Sequence, residues 1–367
     1  PPLKTVEQAA AALPWLTAEE FLQKCRMSRA AFDWVLGQIE DNEEFTTVGN
    51  EKKGRPQAPV VLQLMVFLKC IGTEGAGSNS ENQRQMLGIG QGTADVCRDR
   101  VMQAILKLRP TCCNWPDKEE RKKLSKKVMK KTGFPNVVGI ADGTLFPLVF
   151  EPEAEGAPDC KGRKHTCTLT VMIICDCDRK IRCCHSGHPG SAHDNRVCRN
   201  MDLHQNPKNC FSEHEFNLGD SAFSNSPFMV SSFKKQSGEE IPAEHERFNK
   251  LLSKVRMRSE HTIGILKGRF PWLRSIRMKI TTKKRSLRRI LRLLDATIIL
   301  QNMLLTFKEN MDATDWIDKD KDDISDCDAE GREEDMSELA KSIPELMPND
   351  ARRCQLLHHF QDFVWHT

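Results

Sequence analysis

Val137-Val138-Gly139-Ile140-Ala141-Asp142-Gly143-Thr144 marks the place where the pattern of the chain changes. Before it, apolar residues recur at helical spacing; from Pro135 on, they gather in short blocks of strand type. Asn136–Ala141 reads as a strand that delivers Asp142 to its tip, beside a glycine. Cys167–Cys175 and Ile181–His185 read as two more, joined through the turn Asp176-Cys177-Asp178-Arg179-Lys180. Glu215–Gly219 is a further strand, and helical patterns follow at Glu244–Lys267 and Ser286–Phe307. This order predicts an α/β domain with a mixed sheet flanked by helices, over residues 133–310.

Upstream, residues 1–132 read as an all-helical N-terminal domain. Phe21, Cys25, Phe32, Val35, Leu36 and Ile39 keep helical spacing, broken at Arg26-Met27-Ser28, and Val60–Ile71 is an apolar helix. Glu81–Leu108 is helix-turn-helix-like: Glu81–Leu87, the turn Gly88-Ile89-Gly90, then Thr93–Leu108. Two readings stay open for it, a DNA contact through Thr93–Arg100 or an ordinary helical hairpin packed on the neighbouring domain. A lysine-rich helix, Lys118–Lys131, leads into the α/β domain.

The chain of 367 residues has a net charge of +4, which hides an asymmetry. Residues 311–350 hold 15 Asp/Glu and 4 Lys/Arg, so the rest carries +15. A basic body with an acidic tail points to a polyanionic partner. The tail, 311–367, is expected to be disordered apart from a short docking helix within Arg352–Trp365. No apolar run is long enough for a membrane span, and Pro1-Pro2-Leu3-Lys4 opens no apolar core with a small-residue cleavage site, so neither membrane insertion nor secretion is expected. The 15 cysteines are odd in number and several fall in strands, so free thiols are expected rather than disulfides. Cys175, Cys177, Cys183, Cys184, His185 and His188 offer a rival zinc reading, opposed by the fact that Cys183 and Cys184 must point to opposite strand faces.

Three acidic residues carry the chemistry. Asp142 and Asp220 each follow an apolar strand and touch a glycine, which aims a carboxylate from a rigid edge into a cleft and suits a hard, oxygen-loving cation. Taken singly, each is also an ordinary turn aspartate. Glu260 shares one helix face with Arg256, Gly264 and Lys267. Gly264 predicts close approach of another backbone; the plain alternative is an exposed Arg256–Glu260 ion pair.

In order, Gly139-Ile140-Ala141-Asp142-Gly143-Thr144, Pro189-Gly190-Ser191-Ala192-His193-Asp194, Leu218-Gly219-Asp220-Ser221 and Glu260-His261-Thr262-Ile263-Gly264-Ile265-Leu266-Lys267-Gly268-Arg269-Phe270 resemble the motifs of the PIF/Harbinger transposases and their domesticated relatives, the Harbinger-derived nucleases. The resemblance runs from about Arg26 to Phe307. It implies an RNase H-like catalytic domain with a DDE triad at Asp142, Asp220 and Glu260, each both catalytic and metal-holding. It implies two magnesium (or manganese) ions and cleavage and joining of DNA at transposon ends by two-metal phosphoryl transfer. Its expected partners are DNA, both transposon ends and target, a second copy of the chain, and a separate Myb-like DNA-binding protein; no membrane partner is expected. Four positions depart from the family pattern: Leu145 stands for a usual histidine, Ala222-Phe223 for a usual Gly-Tyr, and His165 for a usual tyrosine.

Residues 261–294 hold 11 Lys/Arg and no acid. Lys161, Arg163, Lys164, Arg256, Lys267 and Arg269 are the expected phosphate-gripping side chains, and Ser191, His193 and Asp194 the expected edge of the site, with a helix N-cap as the plain role for Asp194. Lys283-Lys284-Arg285 with Arg288-Arg289 reads as a nuclear localisation signal, so a nuclear protein is expected. Two alternatives accompany the nuclease: a catalytically silent, domesticated DNA- or chromatin-binding adaptor of the same fold, and a sequence-specific regulator acting through Glu81–Leu108.

Overall fold

The structure, a computed structural model, describes residues 13–46, 57–74, 90–153, 160, 166–234, 240–307, 353 and 356. Glu81–Leu87, the Gly88-Ile89 part of its turn, Lys161, Arg163, Lys164 and the acidic stretch 311–350 therefore lie outside the described residues.

The centre is a five-stranded sheet of β1 (Val137–Pro147), β2 (Thr168–Cys175), β3 (Ile181–Pro189), β4 (Phe216–Gly219) and β5 (Met229–Ser231), in the order β3-β2-β1-β4-β5. β1, β2 and β3 form an antiparallel meander, and β4 and β5 add in parallel on the other side of β1. β2, Thr-Leu-Thr-Val-Met-Ile-Ile-Cys, is buried at every position, as a strand covered on both faces must be. This is the mixed sheet with flanking helices that an RNase H-like domain has. β5 is too short to leave a pattern and escapes the sequence reading.

Asp142 is not at a strand tip. β1 continues five residues past it to Pro147, held by pairs such as Asp142 with Ile173 and Thr144 with Val171. Asp-Gly suggests a turn, yet eight paired positions on β2 keep the backbone extended. β1 also carries a register shift against β4 between Val137 and Gly139. Val137 and Ile140, three apart, accordingly join one apolar cluster, and Val138 and Ala141 the opposite one. The bulge thus sets which face each later residue takes.

One face is covered by α5 (Lys118–Thr132) and α7 (Ala243–Arg269), the other by α6 (Asp194–Arg199). The last long helix, α8 (Lys284–Thr306), packs beside β3, where Asn302 replaces a strand partner: it accepts from the Ile181 N–H at 3.0 Å and donates to the Ile181 carbonyl at 2.7 Å.

Before α5 the described residues form helices only: α1 (Ala18–Cys25), α2 (Arg29–Ile39), α3 (Val60–Ile71) and α4 (Gln91–Lys107) are the main ones. α1 starts on a reciprocal cap between Thr17 and Glu20 and ends on Arg26 at φ 61°, and Ser28 caps α2. Phe21, Phe32 and Phe67 from these helices share one apolar cluster with Ile299 and Leu300 of α8. Arg289 of α8 reinforces that packing through both oxygens of Asp99 on α4, each at 2.9 Å.

At the far end of the chain, Leu356 enters the cluster of Phe248 and Leu252, and the Arg353 guanidinium lies 4.0 Å from the centre of the Phe233 ring.

Candidate active site

The register of β1 against β4 pairs Ile140 with Leu218, so Asp142 and Asp220, two residues further along each strand, emerge side by side. Asp220 is the first residue beyond β4, its own Oδ1 accepting from the Ala222 N–H at 2.8 Å. Glu260 comes from α7, which crosses the face that Asp142 points to. There the buried Ser259 hydroxyl lies 3.5 Å from Asp142 Oδ2.

Arg256, one turn before Glu260, joins two of these groups. Its Nη2 is 3.9 Å from Asp142 Oδ1 and 3.6 Å from Glu260 Oε1. The surroundings are unequal: the Asp142 side chain is 16 % exposed and that of Glu260 56 %. Burial pushes the Asp142 carboxyl up to about 6; Arg256 opposes this, while Asp220, Glu260 and Asp194 add to it.

Asp194 is the fourth carboxylate. His193, not Asp194, occupies the N-cap of α6, and its side chain makes no capping bond. Asp194 instead lies against Gly143, on the face of β1 opposite to Asp142, where any β-carbon on residue 143 would overlap its carboxylate. Burial and then Asp220 raise the Asp194 carboxyl above its ordinary range. Ser191 and His193 are exposed nearby.

Asp142, Asp220 and Glu260 are all carboxylates, the chemistry a hard divalent ion takes. Among the described residues no three His, Cys, Asp or Glu groups stand close enough to enclose one ion. Arg256 supplies the positive charge between Asp142 and Glu260.

Three expected DNA contacts have other surroundings. Arg256 is mostly buried among the carboxylates. Lys267 donates to the Leu145 carbonyl at 3.0 Å and lies 5.1 Å from the centre of the Phe146 ring; burial and then Arg274 lower its pKa. Arg269 is 4 % exposed, which closes it off from a phosphate. Sequence spacing shows only that such residues share a helix stripe; whether that stripe meets solvent depends on the sheet beneath it. Gly264 likewise has nothing near its missing side chain, so no close backbone approach explains it.

Ser259, although it adjoins Glu260, and Arg196 and Arg199 on α6 belong to no motif and so carry no signal in the sequence. Cys183 and Cys184 do point to opposite faces: Cys184 joins the cluster of α8 and Cys183 that of α6. Cys184 sits instead within 3.7 Å of Arg109 and 3.6 Å of Asp295.

No curated protein and no solved structure matches the chain. No described helix is long and apolar enough to cross a membrane. A family model described as DDE superfamily endonuclease matches residues 141–302, a span that begins one residue before Asp142 and contains Asp220 and Glu260. Over that span the chain is similar to the DDE superfamily endonucleases, and the match supports a DDE transposase-like nuclease, metal-dependent and acting on DNA.

Proposed function

We propose that the chain is a PIF/Harbinger-type transposase nuclease that cuts DNA at transposon ends and joins it to a target, with Asp142, Asp220 and Glu260 as its catalytic carboxylates. The observation that carries this is their convergence: Asp142 and Asp220 on adjacent strands, with Asp142 and Glu260 sharing Arg256. Those three would hold two magnesium or manganese ions, which when bound activate the attacking water or 3′ hydroxyl and neutralise the leaving oxygen.

The chain's own groups do the positioning. β1, locked between β2 and β4, fixes Asp142, whereas the exposed Glu260 is free to turn on its helix toward an incoming ion. Ser259 donates its hydroxyl to the Arg256 carbonyl at 2.7 Å and keeps it 3.5 Å from Asp142 Oδ2. Arg256 balances the carboxylates before metal arrives and has to give up at least one of them when it does. The exposed Arg274, Arg277, Lys279, Lys283, Arg285 and Arg288 offer phosphate contacts of the sequence-independent kind. Nuclear residence, a homodimer that pairs two ends, and a Myb-like partner that selects them belong to the same reading.

The test is excision of an element from a plasmid, with the Myb-like partner present, by the native chain and by Asp142→Ala and Glu260→Ala. Metal-dependent excision lost in both variants is expected. Equal activity in native and variant chains would overturn the assignment of these carboxylates, and none in any would overturn the reading in favour of a silent adaptor.

A further inference from the structure

Beside the carboxylates the surface sinks into an open concavity of about 420 Å³ lined by His193, Asn195, Arg196, Arg199, Asn200 and Ala222. It adjoins the site on two sides. His193 directly precedes Asp194, and the Ala222 N–H donates to Asp220 Oδ1.

Its walls are fixed. Val197 and Cys198 anchor α6 in the apolar cluster below, which leaves Arg196 and Arg199, three apart, on the exposed side of the same helix. Asn195 Nδ2 donates to Ser224 Oγ at 2.8 Å and its Oδ1 accepts from the Ser224 N–H at 3.2 Å, which ties α6 to the loop after β4.

Among the described residues neither Arg196 nor Arg199 enters an ion pair, whereas Arg121, Arg182 and Arg289 all do. Two unpaired guanidinium groups in a hollow are a phosphate site by chemistry, since each presents a fork of donors to anionic oxygens. The hollow contains no carboxylate of its own, yet Asp194 and Asp220 stand at its border. An anionic chain crossing that border is repelled by bare carboxylates on one side and drawn to arginines on the other. The volume lies in the range of about 300–1,000 Å³ typical of small-ligand sites, and the lining holds one ring, that of His193, beside the two arginines.

We infer that this hollow is a subsite for the nucleotide adjoining the phosphate held at the carboxylates, with Arg196 and Arg199 on its backbone phosphate. The placement beside a scissile bond rests on the nuclease reading; the binding itself does not.

The test uses the full chain in EDTA and a fluorescein-labelled 12-nucleotide thymidine oligomer, read by anisotropy over a range of salt. Arg196→Ala/Arg199→Ala is compared with Lys126→Ala/Lys130→Ala, which removes the same charge from exposed positions of α5. The first pair is expected to lose about tenfold or more in affinity. Its salt slope should flatten by about 1.4, two contacts at about 0.7 each for single strands, with Arg196→Lys/Arg199→Lys keeping the slope. Equal losses in both alanine pairs would overturn the subsite, as would a polyglutamate peptide that displaces the oligomer through these arginines more strongly than unlabelled oligomer does. Plasmid excision is scored in parallel. No excision with the binding difference intact sinks the nuclease reading and leaves a nucleic-acid site; excision without the binding difference sinks the subsite alone.

Discussion

Arg256 faces Asp142 across the gap between α7 and β1, Nη2 to Oδ1 at 3.9 Å, and the same nitrogen is 3.6 Å from Glu260. One guanidinium thus stands between two carboxylates proposed to hold metal. A cation so placed stabilises the metal-free cluster and competes with an incoming ion. Arg256→Gln is therefore expected to bind Mn²⁺ several-fold more tightly in titration calorimetry. The same variant should unfold at a lower temperature without metal, because its carboxylates then repel one another unopposed. Unchanged or weaker Mn²⁺ affinity would rule out the competition.

Asp142 gives a pH dependence of definite sign. Its carboxyl is raised, by burial first, from 3.8 to about 6. Below about pH 3 it is protonated folded and unfolded alike and contributes nothing to stability differences. As pH rises to 6 only the unfolded chain releases its proton, so stability falls, and above 6 the loss is complete. Asp142→Asn should therefore stabilise the metal-free protein at pH 7.5 by about 3 kcal/mol, given about 1.4 kcal/mol per pH unit between 3.8 and about 6. That gain should vanish by about pH 3. Thermal unfolding of both chains across this range checks it, and a gain that persists undiminished at pH 3 would assign the effect to something other than ionisation.

The residues that reveal the site in the sequence are those whose role is local. Gly-Asp after an apolar run places Asp220 at the end of β4 because nothing beyond it pairs. The same logic fails at Asp142, where β2 holds the backbone extended for five more residues; pairing partners thirty residues away leave no mark on a dipeptide. Helix limits for α7 and α8 lie close to the pattern because their apolar stripes are long, and α5 is bounded by its caps, Asp117 and Gly133. Burial of Arg269 and the engagement of Lys267 with Leu145 were hidden, since charge alone does not tell which side of a helix the sheet covers. The face taken by Asp142 depends on a one-residue bulge near Val138 that no spacing announces.

A buried ion pair ties α5 to the strand that presents Asp220. Arg121 Nε donates to Glu215 Oε2 at 2.6 Å, its Nη1 to the Pro116 carbonyl and its Nη2 to Ser212 Oγ, each at 3.0 Å. Both side chains are 8 % exposed, so removing one leaves the other charged and unpaired. Glu215→Ala is expected to cost roughly 3–5 kcal/mol, and Glu215→Gln less, because the amide oxygen still accepts from Arg121. Urea unfolding of the three chains measures this; a cost under about 1 kcal/mol for Glu215→Ala would show the pair to be solvated.

Gly143 and Asp194 should behave as one unit. A methyl group on residue 143 overlaps the Asp194 carboxylate, so Gly143→Ala must push that carboxylate out of its half-buried place near Asp220. Alone, Gly143→Ala is expected to destabilise by about 1–3 kcal/mol, the usual cost of overpacking. In an Asp194→Ala background the obstacle is gone and the extra methyl fills the space left, so the second change should be nearly neutral. The coupling energy from the four chains is then at least about 1 kcal/mol, within the range for residues in contact. Additive effects in chemical unfolding would mean that Asp194 leaves the strand at no cost, and it would then have no fixed position from which to act on the carboxylates.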